Sequence, residues 1–384
     1  MLNFNKIEKT KQVCFISFIC WLALLFIIYL THYIPLDTPK IFDIWGCTYF
    51  FVDYSNGFLQ RGLIGSLLLP FIDLFGTDFS SFLIISKIGF LVVYLDFILY
   101  LVYNLLFKLS ACNIALVFFI CVRPFYLLSR IYALRVDNFW YVFIPIMLYC
   151  LYKEYKESYT FIVLFLCTTL CMLCHQAFIL TYAPLFCVLL LLLKYYKAFI
   201  GYCCSILIEF FIIVFTPKYD FGVLHNTVFE KIYSTNLPLL LDNYILTDKV
   251  EGALYVVYNS SVTGLWKNNS LQYEYLYSHF PTLCWLVALS FISLLFSLLV
   301  IYNWQYDKRK KVFFISILVI PFIVLLLFTI DCDRWFLMLL TELNIIAVWL
   351  LYKEKVQIKF RNNWYFLYAL NLIANSCVFY IKDF

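Results

Sequence analysis

Long unbroken runs of apolar residues, separated by short polar clusters, carry most of this chain. They show no sustained two-residue alternation, and many have the roughly 17–25 residues that a helix needs to cross a hydrocarbon core. The pattern predicts spans at 13–34, 81–107, 110–128, 132–152, 159–175, 176–193, 197–215, 282–302, 312–330, 335–352 and 364–381. The first reads as an anchor rather than a cleaved leader, because "HYIPLDTPK" offers no small-residue cleavage site after it. A shorter run, "LIGSLLLPFIDLF" (63–75), is interrupted by Pro70 and reads as an interfacial or re-entrant helix. The expected fold is therefore all-α: a polytopic helical membrane protein of about eleven spans, with residues 1–384 forming one integral membrane domain.

Lysines and arginines in short loops mark the cytoplasmic side. Lys6, Lys9 and Lys11 precede the first span, and Lys108, Lys153, Lys156, Lys194, Lys197, "DKRKK" (307–311), Lys353, Lys355, Lys359 and Arg361 fall in later loops. Eleven spans put all of these clusters on one side, with a cytoplasmic N-terminus. The outer face then receives a first loop at 35–80 and a large loop at 216–281.

Composition agrees. The chain is 65% hydrophobic and 13% charged, with 42 Phe and 32 Tyr; a water-soluble domain of this length could not cover its surface with so few polar groups. The net charge of +5 follows from topology and gives no reason to invoke nucleic acid. The cysteines are spread through the spans as small hydrophobes. "CMLCH" (171–175) matches a haem-attachment pattern, but its thiols lie within an apolar run, so neither haem nor metal is expected there. No glycine-rich phosphate loop is present either.

Candidate chemistry gathers on the outer face. The strip "DYSNGFLQRG" (53–62) carries Asp53 and Arg61 between oily segments. The same side holds Asp37, Asp43, Arg123, Arg130, Arg135, Asp137, His175, Gln176, Asp331, Asp333 and Arg334. Arginines should be scarce on that face, and charges near span ends are costly unless paired or used. One reading is that the acids pair with them to lock helix ends. The other is a phosphate or pyrophosphate pocket, which the planar guanidinium fork suits. Arg123, Arg130, Arg135 and Arg334 would then hold the anion with Asp137, Gln176, Asp331 and Asp333 beside them, and Arg61 would close from the loop. Asp53 or His175 would deprotonate or orient an acceptor hydroxyl. The loop 216–281 is dense in tyrosine and contains Trp266, rings that suit either sugars or an interfacial belt.

The layout of an outward acid in a long first loop, an amphipathic stretch, six further spans and a large outer loop resembles the GT-C class of membrane glycosyltransferases. "GFLQRGLIG", "RVDNF" (135–139), "HQAF" (175–178) and "DCDRW" (331–335) resemble patterns in O-antigen repeat-unit polymerases. The resemblance implies a glycosyltransferase of the bacterial inner membrane that assembles polysaccharide from a polyprenyl-pyrophosphate-linked oligosaccharide. It also implies the bilayer and a chain-length regulator protein as partners. The first-loop acid of that class maps onto Asp53, with Asp43 second; where a His-Glu pair is expected, this chain has His175-Gln176. No cofactor is expected, although a divalent ion at Asp43 and Asp53 stays open. Two alternatives remain: transfer of a single sugar from polyprenyl phosphate, and a lipid-oligosaccharide flippase using the intramembrane acids Asp96, Glu209 and Glu342.

Overall fold

The computed structural model describes residues 48–55, 61–74, 139–216, 220–235, 247–248, 250–254, 293–328 and 332–353, with isolated positions at Ile16, Cys20, Ala23, Ser81, Cys284, Ala288, Phe291 and Val356. Among these residues the regular structure is helical, with no strand. Contacts group the chain into two compact units, one of Met1–Tyr33, Leu95–Ser129 and Leu271–Phe384, the other of Ile34–Tyr94 and Arg130–Ser270.

The second unit holds α1 (Leu63–Leu74), α2 (Trp140–Tyr152), α3 (Glu157–Cys174), a 3-10 turn at Gln176–Ile179, α4 (Tyr182–Leu192), α5 (Tyr196–Phe215) and α6 (Phe221–Tyr233). At 12 residues, α1 rises only about 18 Å, too little to span a bilayer. It is the short helix expected at 63–75, with Pro70 inside it.

α3 buries Thr160, Leu164, Cys167, Thr168, Cys171, Met172 and Cys174, a stripe at helical spacing. Its outer side leaves Ile162 and Leu166 more than half exposed. Along α5, Leu207, Ile208, Phe211, Ile212 and Phe215 are likewise exposed. Such a face is costly in water and at home in lipid. α3 and α5 run side by side in one direction. Glu157 Oε1 accepts the Ala198 amide at 2.9 Å, Phe161 lies against Gly201, and Thr169 donates to Glu209 Oε1 at 2.7 Å. α4, which joins them in the chain, returns antiparallel along α5, bringing Cys187 Sγ to 3.8 Å from Cys203 Sγ.

Two tight turns connect these helices at one end. In each, a non-glycine residue takes the left-handed conformation, Glu154 at φ 50° and Lys194 at φ 62°. The amide of the next residue reaches back to close the helix: Tyr155 to the Cys150 carbonyl at 3.5 Å and Tyr195 to Leu190 at 3.0 Å. This is the Schellman closure, which normally takes glycine. The Tyr195 hydroxyl donates to the Tyr155 carbonyl at 2.9 Å, so the turns carrying Lys153, Lys156, Lys194 and Lys197 sit together. His175 stands at the opposite end, as the one-sided lysine pattern requires.

The first unit holds α7 (Ser293–Asn303), α8 (Lys308–Phe328) and α9 (Cys332–Tyr352). Ser293 and Ser297 hydroxyls converge on Asn344 Oδ1 at 3.4 and 2.5 Å, a polar knot sealed within apolar helices. The basic run opens α8, where Asp307 Oδ1 accepts the Arg309 amide at 2.9 Å.

Among the described residues, Glu157–Cys174, Tyr196–Ile213 and Trp335–Tyr352 are long and apolar enough to cross a membrane. The protein is a helical membrane protein. The expected spans at 159–175, 197–215, 312–330 and 335–352 coincide with helices to within a few residues, and 176–193 begins with a 3-10 turn. Those at 81–107, 110–128 and 364–381 and most of 13–34 lie outside the described residues.

Candidate functional site

The strip begins at a turn, Thr48–Ser55, whose Tyr49, Phe50, Phe51 and Val52 are at most 4% exposed. Burial of this run within the second unit fixes the backbone from which Asp53 projects. Gly65 of α1 lies directly on it: a Cβ there would come within 2.0 Å of the Val52 carbonyl oxygen. Phe50 packs on Phe139 with centroids 6.3 Å apart. The Tyr54 amide donates to Ser66 Oγ at 2.9 Å. The Tyr54 side chain is sunk beside the Leu63 backbone and close to Cys174; burial first, then the Cys174 thiol, pushes its phenol upward. Asp53, Arg61 and His175 are each within two residues of that junction in sequence.

Asp53 is fully engaged. Its Oδ1 accepts the Ser55 amide at 3.3 Å and the Ser55 hydroxyl at 2.7 Å, and its Oδ2 accepts Lys231 Nζ at 2.8 Å. Burial alone would push this carboxyl up; the Lys231 hydrogen bond and charge, with Ser55, outweigh it and hold the group below the ordinary carboxylate range. Asp53 is thus a fixed anion, better suited to accept a hydrogen bond than to take a proton. Its ionic partner is Lys231, from the helix Phe221–Tyr233, rather than Arg61.

Arg61 takes the left-handed conformation, φ 67°, and is only 9% exposed. Its guanidinium lies over the Tyr49 ring, 5.0 Å from the centroid. Among the described residues, Arg61 Nε and the Tyr49 hydroxyl are buried polar atoms with no hydrogen-bond partner. A buried donor in that state costs about 1–3 kcal/mol.

His175 ends α3 in extended backbone and starts the 3-10 turn, where its Nδ1 accepts the Ala177 amide at 3.1 Å. That bond places the proton of the neutral ring on Nε2, making His175 a donor rather than a free base. Trp140 holds this helix end: its indole donates to the Cys171 carbonyl at 2.8 Å and its ring stands edge-on to His175, Phe178 and Tyr182. Cys171 and Cys174 are fully buried in the same packing. Gln176 follows His175, half-buried.

Lys231 was not singled out by sequence. It sits in the last turn of α6, N-capped by Asp220 through the Val223 amide at 3.1 Å. Leu224, Val228 and Ile232 are buried at four-residue spacing, while Phe221, His225, Phe229 and Tyr233 stack in a row along the neighbouring flank, 6.2, 4.4 and 6.0 Å apart. That spacing after an Asx cap was the available signal.

Arg123, Arg130, Arg135, Asp137 and Asp331 lie outside the described residues, as do Asp37, Asp43 and Asp96; Asp333 and Arg334 occupy the first turn of α9, in the first unit. Of the intramembrane acids, Glu209 is tied to Thr169 in the second unit and Glu342 is 3% exposed in the first. In comparisons with protein-family models, curated proteins and solved structures, nothing matches the chain.

Proposed function

We propose that this protein is a membrane glycosyltransferase working on the outer face with a polyprenyl-pyrophosphate-linked saccharide as donor, and that it joins surface-polysaccharide repeat units. The observation that carries this reading is the buried Arg61 guanidinium, stacked over Tyr49, whose Nε has no hydrogen-bond partner. It lies at the helix end opposite the lysine turns, where a lipid-borne phosphate would present its oxygens. Glycosyl transfer from such a donor breaks the C1–O bond to the pyrophosphate and forms one from C1 to the acceptor hydroxyl oxygen, whose proton leaves with the released pyrophosphate. The leaving group gains negative charge, which a preorganised guanidinium stabilises by charge-assisted hydrogen bonds worth about 1.5–3 kcal/mol each.

Asp53, held anionic, accepts a hydrogen bond from the acceptor hydroxyl and orients it. The His175 Nε2–H supports the developing charge as a donor. Both roles fit the hydrogen bonds each side chain makes in the fold, and neither requires a free base at the start of the reaction. Deleting the gene and running the surface polysaccharide on a gel tests the reading. Single-repeat product is the expected result. A full-length, antigenically altered product would instead mean single-sugar transfer, and complete loss of surface product would mean transport.

A further inference from the structure

We infer that Lys231 is a positioning residue of this site: it docks the outer-loop helix α6 on the strip through Asp53 and fixes the direction of the Asp53 carboxylate. The role of Asp53 in sugar transfer rests on the reading above; the docking does not.

Three observations converge. The Lys231–Asp53 contact, 2.8 Å, joins residues 178 apart in sequence, so only the fold brings them together. Both side chains are mostly covered, 27% and 15% exposed, which places the pair between a surface bridge and a buried one and lets it weigh more than an open-water ion pair. Finally, α6 is built to be attached. Its Leu224, Val228 and Ile232 stripe is buried, while its other flanks, with Val223 and Tyr233 about half exposed, reach solvent. At 13 residues a helix is marginal by itself in water and depends on the surface it packs against.

The geometry also constrains Asp53. Ser55 occupies Oδ1 from the strip's own side, and Lys231 takes Oδ2 from α6. A carboxylate held from two elements has one orientation; without Lys231 it is held from one and can rotate. Lys231 therefore acts on an acceptor through Asp53.

Accessibility of the buried stripe in the full chain, in its native membrane, tests this. Leu224→Cys reports undocking and Asn226→Cys, on the exposed flank, is the reference; both are labelled with an impermeant maleimide and compared with the parent chain. The expected result is that Leu224→Cys is protected, and that adding Lys231→Met or Asp53→Asn raises its rate about tenfold relative to Asn226→Cys. Lys231→Arg should restore protection, as should the exchanged pair Asp53→Lys with Lys231→Asp. Unchanged protection in Lys231→Met would overturn the proposal, and so would an exchanged pair labelled as fast as either single variant. If Lys231→Met does not accumulate, the arginine variant and the exchanged pair still decide. Normal polymer in Asp53→Asn, with α6 undocked as expected, would sink the catalytic reading alone.

Discussion

At the scale of single residues, Arg61 is held in a state that costs free energy, and Asp53 in one that yields it. Arg61 adopts φ 67°, which costs a residue with a Cβ about 1–2 kcal/mol, and it buries an unpaired Nε. Glycine at this position would relax the backbone and remove the orphaned donor. Arg61→Gly should therefore raise the unfolding midpoint in detergent, by the equivalent of about 1 kcal/mol, while polymer is lost on the gel. Lysine keeps the charge but not the fork and should restore product only in part. A glycine variant that unfolds early and still makes polymer would assign Arg61 to architecture. Asp53 titrates in the opposite sense to a poised base. Because its folded value is depressed, its stabilisation is complete above the unfolded carboxylate value of about 3.9 and is lost only as pH falls through the lower folded value. The unfolding midpoint should be insensitive to Asp53→Asn in its slope between about pH 5 and 8, and should lose part of its acid limb in that variant. A change confined to neutral pH would contradict the assignment.

At the scale of elements, the turns and the strip make separate demands on glycine. Glu154 and Lys194 occupy the left-handed position of two Schellman closures, so Glu154→Gly and Lys194→Gly should each stabilise the α2–α3 and α4–α5 hairpins by about 1 kcal/mol, read as a higher midpoint in detergent. Gly65→Ala should do the reverse. Its methyl would meet the Val52 carbonyl at 2.0 Å, and since that neighbour is backbone, α1 must lift from the strip. Loss of several kcal/mol and faster proteolysis between 53 and 62 are expected. The sequence made α3, α5 and α9 legible because an unbroken apolar run leaves few alternatives once its length matches a bilayer. It also showed α1 as too short to span. It did not show α6, whose Leu224, Val228 and Ile232 period lies inside a polar loop, nor that Lys231 rather than Arg61 would take Asp53. Partner choice across 178 residues is decided by packing, and no local pattern records it.

At the scale of the whole molecule, the placement of charge ties these pieces together. The turns bearing Lys153, Lys156, Lys194 and Lys197 are joined by the Tyr195–Tyr155 bond, while His175, the Tyr54 junction and the Asp53–Lys231 pair lie at the far ends of α3 and α5. Transfer of the lysines across the bilayer is resisted during insertion, which predicts a cytoplasmic placement for their end. The same rule predicts an outward placement for the opposite end of the second unit, which carries Asp53, Arg61, His175 and Gln176. Lys231 does not break the pattern, since it neutralises Asp53 and belongs to a long loop, where the lysine count has little influence on orientation. Cysteines substituted near Asn226, Asn243 and Asn268 should react with an impermeant reagent applied to intact cells. One near Lys310 should react only after the membrane is opened. The Asn226 site is the informative one, because α6 is docked on the strip and shares its side. Labelling of Lys310→Cys from outside would invert the chain, place Asp53, Arg61 and His175 in the cytoplasm, and leave an outward-facing lipid-linked donor with no access to the site.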